Sequence, residues 1–349
     1  MVSNNPDLAG ASKRDPGSPG TVKVLAIDGG GIRGIIPAVI LSEIQKRLGT
    51  DLYKVFDLIS GTSTGGIIAL GIGTRCNGGQ PYSPDQLVEL YVKSGPAIFK
   101  KGFLTPEEEL FRPKYSPDAL EAALEKFFGA TEFATALTPL LISSYDLQSQ
   151  LPFFFKSRKI AAQANYNWPV VSIARATSAA PTFFPPLHLV RGAEDYALAD
   201  GGVYVNNPSM AAYAEARSIY PNASQFLVVS AGTGNRQDRI PFSKAKNWGL
   251  LDWAKEIVPV FMDSVSEAVD FELNVMPGCK YYRLQIEDLQ PASNDMDDVT
   301  PENLENLQAV ARRYVASISA DLDAICTQLK EGRGSDMPGI GHAAGFKAS

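Results

Sequence analysis

The sequence predicts an α/β protein built on a parallel sheet that helices cover on both faces. Three observations predict it. From Val22 onward, apolar runs of strand length alternate with stretches of helical periodicity. Glycine clusters stand where apolar runs end, as at Asp28-Gly29-Gly30-Gly31 and Gly61-Thr62-Ser63-Thr64-Gly65. The run Phe153-Phe154-Phe155 is apolar without alternation, which suits a strand buried on both sides. With 349 residues, 45% of them hydrophobic and 20% charged, the chain has ample material for such a core.

The first strand covers 22–27 and leads through the first glycine cluster into a helix over 35–48, whose Ile36, Val39, Ile40 and Ile44 form one stripe. A second strand over 55–59 ends at the second glycine cluster, and Gly66-Ile67-Ile68-Ala69-Leu70 begins the next helix. Ser83-Pro84 and Ser116-Pro117 each set a capping serine before a first-turn proline, and Asn207-Pro208 opens a helix over 209–219. Further strands are predicted over 139–145, 152–156, 226–230 and 281–286, and Tyr196-Ala197-Leu198-Ala199 is strand-like too. Thr300 caps a last long helix from Pro301 to about Lys330, with Leu304, Leu307, Tyr314, Ile318, Leu322 and Ile325 on its core-packing stripe. Residues 1–20, rich in Asn, Ser, Pro and Gly, read as a flexible arm, 21–330 as one domain, and 331–349 as a disordered tail.

Ser63 is the candidate nucleophile. A serine inside a regular strand is packed or turned away, so its hydroxyl is best presented at a sharp strand-to-helix turn. Gly61 and Gly65 tolerate the strained dihedrals such a turn needs. The helix that follows directs its N-terminal dipole at Ser63. In Asp28-Gly29-Gly30-Gly31-Ile32-Arg33-Gly34, three adjacent glycines expose N–H groups that can converge on one oxygen, as an oxyanion hole requires. Arg33 either holds this loop or meets an anionic substrate. Asp200-Gly201-Gly202 sends an acidic residue from a strand into a glycine turn.

Asp-Gly-Gly-Gly-x-Arg-Gly, then Gly-x-Ser-x-Gly, then Asp-Gly-Gly, in this order, resembles the patatin-like phospholipase family, and the likeness runs from about Val22 to the last long helix. The resemblance implies a three-layer α/β/α fold with a mostly parallel central sheet. It implies lipid acyl hydrolysis of the phospholipase A or lysophospholipase type by a serine–aspartate dyad. It assigns Ser63 as nucleophile, Asp200 as general base and Gly29, Gly30, Gly31 and Arg33 as the oxyanion loop, with Gly61, Gly65, Gly201 and Gly202 in support. The expected partner is a phospholipid or other acyl lipid met by transient contact with a membrane surface. No cofactor and no metal ion is expected, although some relatives use calcium. Many bacterial relatives of this size resemble toxins or immune effectors held off until a signal, sometimes a cyclic nucleotide, releases them. A membrane-degrading effector with a small-molecule activator is therefore the alternative reading, and a catalytically inert binding module a third.

Only two histidines are available for a conventional triad. His188 lies in an apolar segment and reads as a satisfied structural histidine. His342 fits the Ser, Asp, His order of other hydrolases, but a glycine-rich tail is a poor mount for a base. An aspartate base with the ordinary pKa of about 3.9 is ionised at neutral pH yet accepts protons weakly. The glycine loop must then matter as much as the base, since losing one such donor costs on the order of 100- to 1000-fold in turnover.

The net charge of −6 and pI near 5.2 argue against a nucleic-acid polymer as partner and against a strong electrostatic hold on anionic membrane. Cys76, Cys279 and Cys326 lack metal-ligand spacing and read as reduced thiols. With neither an apolar leader nor a run of about 20 apolar residues, a cytoplasmic location is expected. Gly29-x-Gly31-x-x-Gly34 also matches the dinucleotide fingerprint, but the acid it requires, Asp51, falls in a loop. Asp295-Met296-Asp297-Asp298 lacks calcium-loop spacing and reads as a solvated acidic loop. Phe183-Phe184-Pro185-Pro186 suits a pocket wall and core packing equally. Phe99, Phe103 and Leu104 suggest a mobile apolar lip that touches lipid, and Gly232-Thr233-Gly234 suggests a site floor at the carboxyl end of a strand.

Overall fold

The computed structural model describes residues 20–100, 112–235 and 240–331. Its strands are β1 (Thr21–Ile27), β2 (Leu58–Gly61), β3 (Leu140–Asp146), β4 (Leu151–Lys156), β5 (Leu187–Arg191), β6 (Glu194–Asp200), β7 (Gln225–Ala231) and β8 (Cys279–Leu284). They form one sheet in the order β5-β6-β3-β2-β1-β7-β8, with β4 also paired to β3. The β1–β2, β1–β7, β2–β3 and β7–β8 pairs are parallel; β3–β4, β3–β6 and β5–β6 are antiparallel. The sheet is thus mostly parallel, as predicted.

Alternation along the central strands builds two cores. In β1, Leu25 and Ile27 face one way while Val22, Val24 and Ala26 face the other; Leu227 and Val229 against Phe226 and Val228 repeat this in β7. The first face is covered by α1 (Ile35–Leu48), α2 (Thr64–Gly73), α3 (Pro84–Ile98), α4 (Asp118–Phe128) and α5 (Val170–Thr177). After the short α6 (Gly202–Val205), α7 (Ser209–Ile219) covers the second face. The four-residue α8 (Phe242–Ala245) precedes the long α9 (Leu250–Asn274), which adds Val269 and Leu273 to that face. Finally α10 (Pro301–Ser317) and α11 (Ser319–Lys330) return to pack on α1. The result is the three-layer α/β/α arrangement. Among the described residues no helix is long and apolar enough to cross a membrane.

Two caps form as the sequence predicts, while at Ser116-Pro117 the helix starts one residue later, with Pro117 in the cap position. Ser83 and Gln86 exchange side-chain and backbone hydrogen bonds in a capping box, and Thr300 Oγ1 accepts from Asn303 N–H. The structure departs from the predicted elements in four places. The last helix is two, because Ile318 leaves helical geometry (φ −107°, ψ 25°) where the Ser317 hydroxyl takes the Tyr314 carbonyl. Of Phe153-Phe154-Phe155, Phe155 alone is fully buried, since β4 pairs only with β3 and lies partly open. The edge strand β5 and the long α9 have no predicted counterparts. In α9, apolar residues occupy both faces, so no single stripe stands out.

Leu307 is fully buried between α10 and the first-face core. Leu307→Ala should cost about 2–5 kcal/mol, read as a lower melting temperature and denaturation midpoint.

Candidate active site

Parallel pairing sets Ile27 opposite Gly61, and Thr62 N–H donates to Ile27 O at 3.2 Å. Immediately beyond, Ser63 adopts φ 54° and ψ −123°, a conformation that stores roughly 1–3 kcal/mol in a non-glycine residue. Its N–H donates to Thr177 Oγ1, 2.8 Å away at the buried end of α5, and α2 begins at the next residue. The strain therefore falls on the serine itself. Gly61 and Gly65 serve close approach instead of the dihedral freedom predicted for them. A Cβ at Gly65 would lie 2.2 Å from Ile27 O, and one at Gly61 would lie 2.1 Å from Gly65 O.

The glycine loop offers two donors, not three. Gly29 N–H is already bonded to Asn206 O at 3.1 Å. The N–H groups of Gly30 and Gly31 have no hydrogen-bond partner among the described residues, and both glycines border the same cavity as Ser63. Gly31 turns through φ +59°, and a Cβ there would strike Met296 O at 2.2 Å. Three contacts hold the loop in this shape. Thr233 Oγ1 donates to Gly29 O at 2.7 Å, Ile32 N–H donates to Met296 O at 2.8 Å, and Arg283 Nη2 donates to Asp28 Oδ2 at 2.6 Å. Arg283 is itself fixed by Ser230 Oγ at 2.9 Å and the Asp270 carboxylate at 3.1 Å. Arg33 is buried and does not border the cavity, and its charge contributes, less than that of Arg283, to lowering the pKa of Asp28. Of the two roles predicted for it, the structure favours holding the loop.

Asp200 ends β6 and is 1% exposed. Gly202 N–H donates to its Oδ1 at 2.7 Å, while Oδ2 has no hydrogen bond of ordinary geometry. Burial pushes its pKa up to about 7, with the neighbouring Ser63 hydroxyl and the Gly202 N–H offsetting part of the effect. The sequence-based expectation of an ordinary, weakly basic carboxylate is therefore corrected. Gly201 is demanded by contact with β3, since a Cβ there would lie 2.2 Å from Ser143 Oγ.

Ser63, Asp200, Gly30, Gly31 and Gly202 open on one cavity, walled by apolar side chains including Phe99, Leu120, Phe183, Phe184, Met262 and Met296. Phe183 and Phe184 thus satisfy both readings, wall and core. Phe99 belongs to that wall and packs edge-on against Tyr115, while Phe103 and Leu104 of the predicted lip lie outside the described residues. His342 does too. His188 is exposed on β5, 2.7 Å from Asp195 Oδ1, and does not border the cavity. Asp51 precedes a single 3-10 turn and sits 2.6 Å from Lys54 Nζ. The segment 295–298 is not simply a solvated loop, because Asp297 receives Tyr115 Oη at 2.5 Å and the Lys114 ammonium, and Met296 reaches the cavity. Gly232-Thr233-Gly234 braces the glycine loop from behind and does not floor the cavity. Thr177, Asn206, Arg283 and Met296 escaped the motif reading; Thr177 beside Ser178-Ala179-Ala180-Pro181 and Asn206 in the turn after Asp200 were the nearest signals.

Three outcomes follow from this geometry. If Asp200 must be ionised to accept a proton, kcat/KM on an ester should climb as pH rises through about 7, measured as a full pH–rate profile. Below pH 4 both folded and unfolded chains hold the proton. Above pH 7 both have lost it, and the buried charge costs about 4 kcal/mol. Stability from this group is lost between those limits, so Asp200→Asn should raise the melting temperature at pH 8 and not at pH 4. Thr177→Val removes the acceptor for Ser63 N–H and should lower turnover on the order of 10- to 100-fold with little change in KM.

A family model described as patatin-like phospholipase matches residues 25–213. Patatin-like protein 2 of Oryza sativa subsp. indica is 30% identical, across 95% of this chain and 92% of its own. Patatin-like protein 2 of Arabidopsis thaliana is 32% identical across 86% and 85%. Patatin-17 of Solanum cardiophyllum is 31% identical across 84% and 83%.

Proposed function

We propose that this chain, which belongs to the patatin-like phospholipase family, hydrolyses carboxylic esters of lipids through Ser63 and Asp200. What supports this reading is the meeting of Ser63, Asp200, Gly30 and Gly31 at one cavity whose remaining wall is largely apolar. An acyl chain lying against Phe99, Phe183 and Met262 brings its ester carbon to Ser63 Oγ. Attack forms the Oγ–C bond while the serine proton passes to Asp200, whose pKa near 7 suits a base working at neutral pH. The carbonyl oxygen becomes negative and meets the N–H groups of Gly30 and Gly31 together with the positive end of α2. Collapse breaks the bond to the leaving alcohol, which takes the proton from Asp200 and leaves Ser63 acylated. A water then attacks the acyl carbon and gives its proton to Asp200. The fatty acid departs as the proton returns to Ser63 Oγ. Burial of the carboxylate supplies the basicity that a histidine provides in a triad.

Acid release from mixed phospholipid vesicles and from a short-chain nitrophenyl ester tests this reading. Ser63→Ala and Asp200→Asn should each lose at least about 1000-fold on both substrates, whereas His342→Ala should match wild type. Undiminished hydrolysis by folded Ser63→Ala would sink it.

A further inference from the structure

The segment from Ile240 to Val275 holds Ile240, Phe242, Trp253, Phe261, Phe271 and Val275, all large, apolar and exposed; Phe242 is 81% and Phe271 71% open to solvent. At 3.6 residues per turn, Trp253, Phe261 and Phe271 fall within an arc of about 80° on α9, and Val275 follows directly at its C-terminal end. Met262, Val269 and Leu273 are buried on the opposite side. One helix thus has an inner apolar face in the core and an outer one in solvent, a pattern that in a folded monomer marks an interaction surface. The two faces meet at consecutive residues. Phe261 points outward, while Met262 borders the cavity and lies where a Cβ on Gly202 would be 2.6 Å from its methyl. At the helix start, Trp248 and Trp253 meet edge to face with ring centroids 5.0 Å apart, and tryptophan is the side chain that favours a membrane–water boundary.

We infer that the outer face of α9, with Phe242 and Trp248 at its start, docks on the surface of an electrically neutral lipid layer. The choice of lipid as occupant rests on the hydrolase reading above, and on the continuity of this face with the cavity wall. Charge selects the kind of lipid. Asp263 and Glu267 flank the stripe on one side and Glu272 on the other, while the exposed Lys244 and Lys246 stand between Phe242 and Trp248 at its start; the face carries both signs with acids in excess, which suits a zwitterionic surface better than an anionic one. Docking lays the helix in the interfacial plane and holds the cavity where acyl chains are supplied.

The test uses the full chain and phosphatidylcholine vesicles. Of the three tryptophans, Trp168 is buried, so emission reports mainly on Trp248 and Trp253. Wild type should co-sediment with the vesicles and shift its emission to the blue, and one-third phosphatidylglycerol should weaken that binding at low salt. Phe261→Glu with Phe271→Glu should lower partitioning and vesicle hydrolysis at least tenfold, leaving short-chain ester hydrolysis within twofold and the melting temperature unchanged. Phe242→Glu gives a second variant at a largely exposed side chain, with the same sign expected. Failure of wild type to bind neutral vesicles overturns the inference, as does binding by the variants equal to wild type. A concentration-dependent dimer of wild type that the double variant abolishes also overturns it and assigns the face to a second copy. Vesicle binding that is lost on substitution in a protein that cleaves no ester upholds the docking face and fails the catalytic reading.

Discussion

Parallel pairing sets Ile27 of β1 opposite Gly61 of β2, and from that register the glycine loop and the serine leave the sheet side by side. Thr62 N–H on Ile27 O ties the two strand ends together. α2 must then start almost in contact with β1, which is why Gly65 can carry no side chain and why Ser63 is driven into a conformation that serine avoids. Thr177 meets the Ser63 N–H exposed by this turn, so the strain is held by a hydrogen bond from a neighbouring helix, α5. The antiparallel β6 then brings Asp200 in through its pairing with β3, Asp200 opposite Ser144.

Two aspartates stand at strand ends here, and their surroundings separate them. Asp28 is fully buried, and burial raises its pKa to about 6 even with the Arg283 guanidinium against it. It anchors a loop. Among the described residues Asp200 has no cation beside it, only the Gly202 N–H and the Ser63 hydroxyl, and its pKa rises further, to about 7. The same side chain is thus held in an ion pair in one place and left without one in the other, and the arginine makes the difference.

Much of the fold was legible because β1 and β7 alternate cleanly between two cores and because Ser83 and Thr300 are unambiguous caps. Ser63, Gly30, Gly31 and Asp200 could be found since each sits in a glycine turn whose purpose is local. Residues that hold the site from a distance left no such mark. Arg283 and Met296 act through folding that brings remote segments together, and nothing in their neighbours announces it. The basicity of Asp200 was also hidden, because it is set by burial and not by spacing. Gly29 shows the converse: the motif suggested a third donor, but the fold had already engaged its N–H with Asn206.

The hydrogen bond from Ile32 N–H to Met296 O joins an early turn to a segment far along the chain. Lys23 Nζ likewise reaches the carbonyl of Leu329, near the last described turn of helix. A chain still emerging from the ribosome therefore carries Ser63 long before it carries the Met296 carbonyl that shapes the glycine loop. A chain cut short before residue 296 would hold the serine turn without the carbonyl that fixes Ile32 beside it, so the two ends of the sequence must meet before the cavity takes this shape.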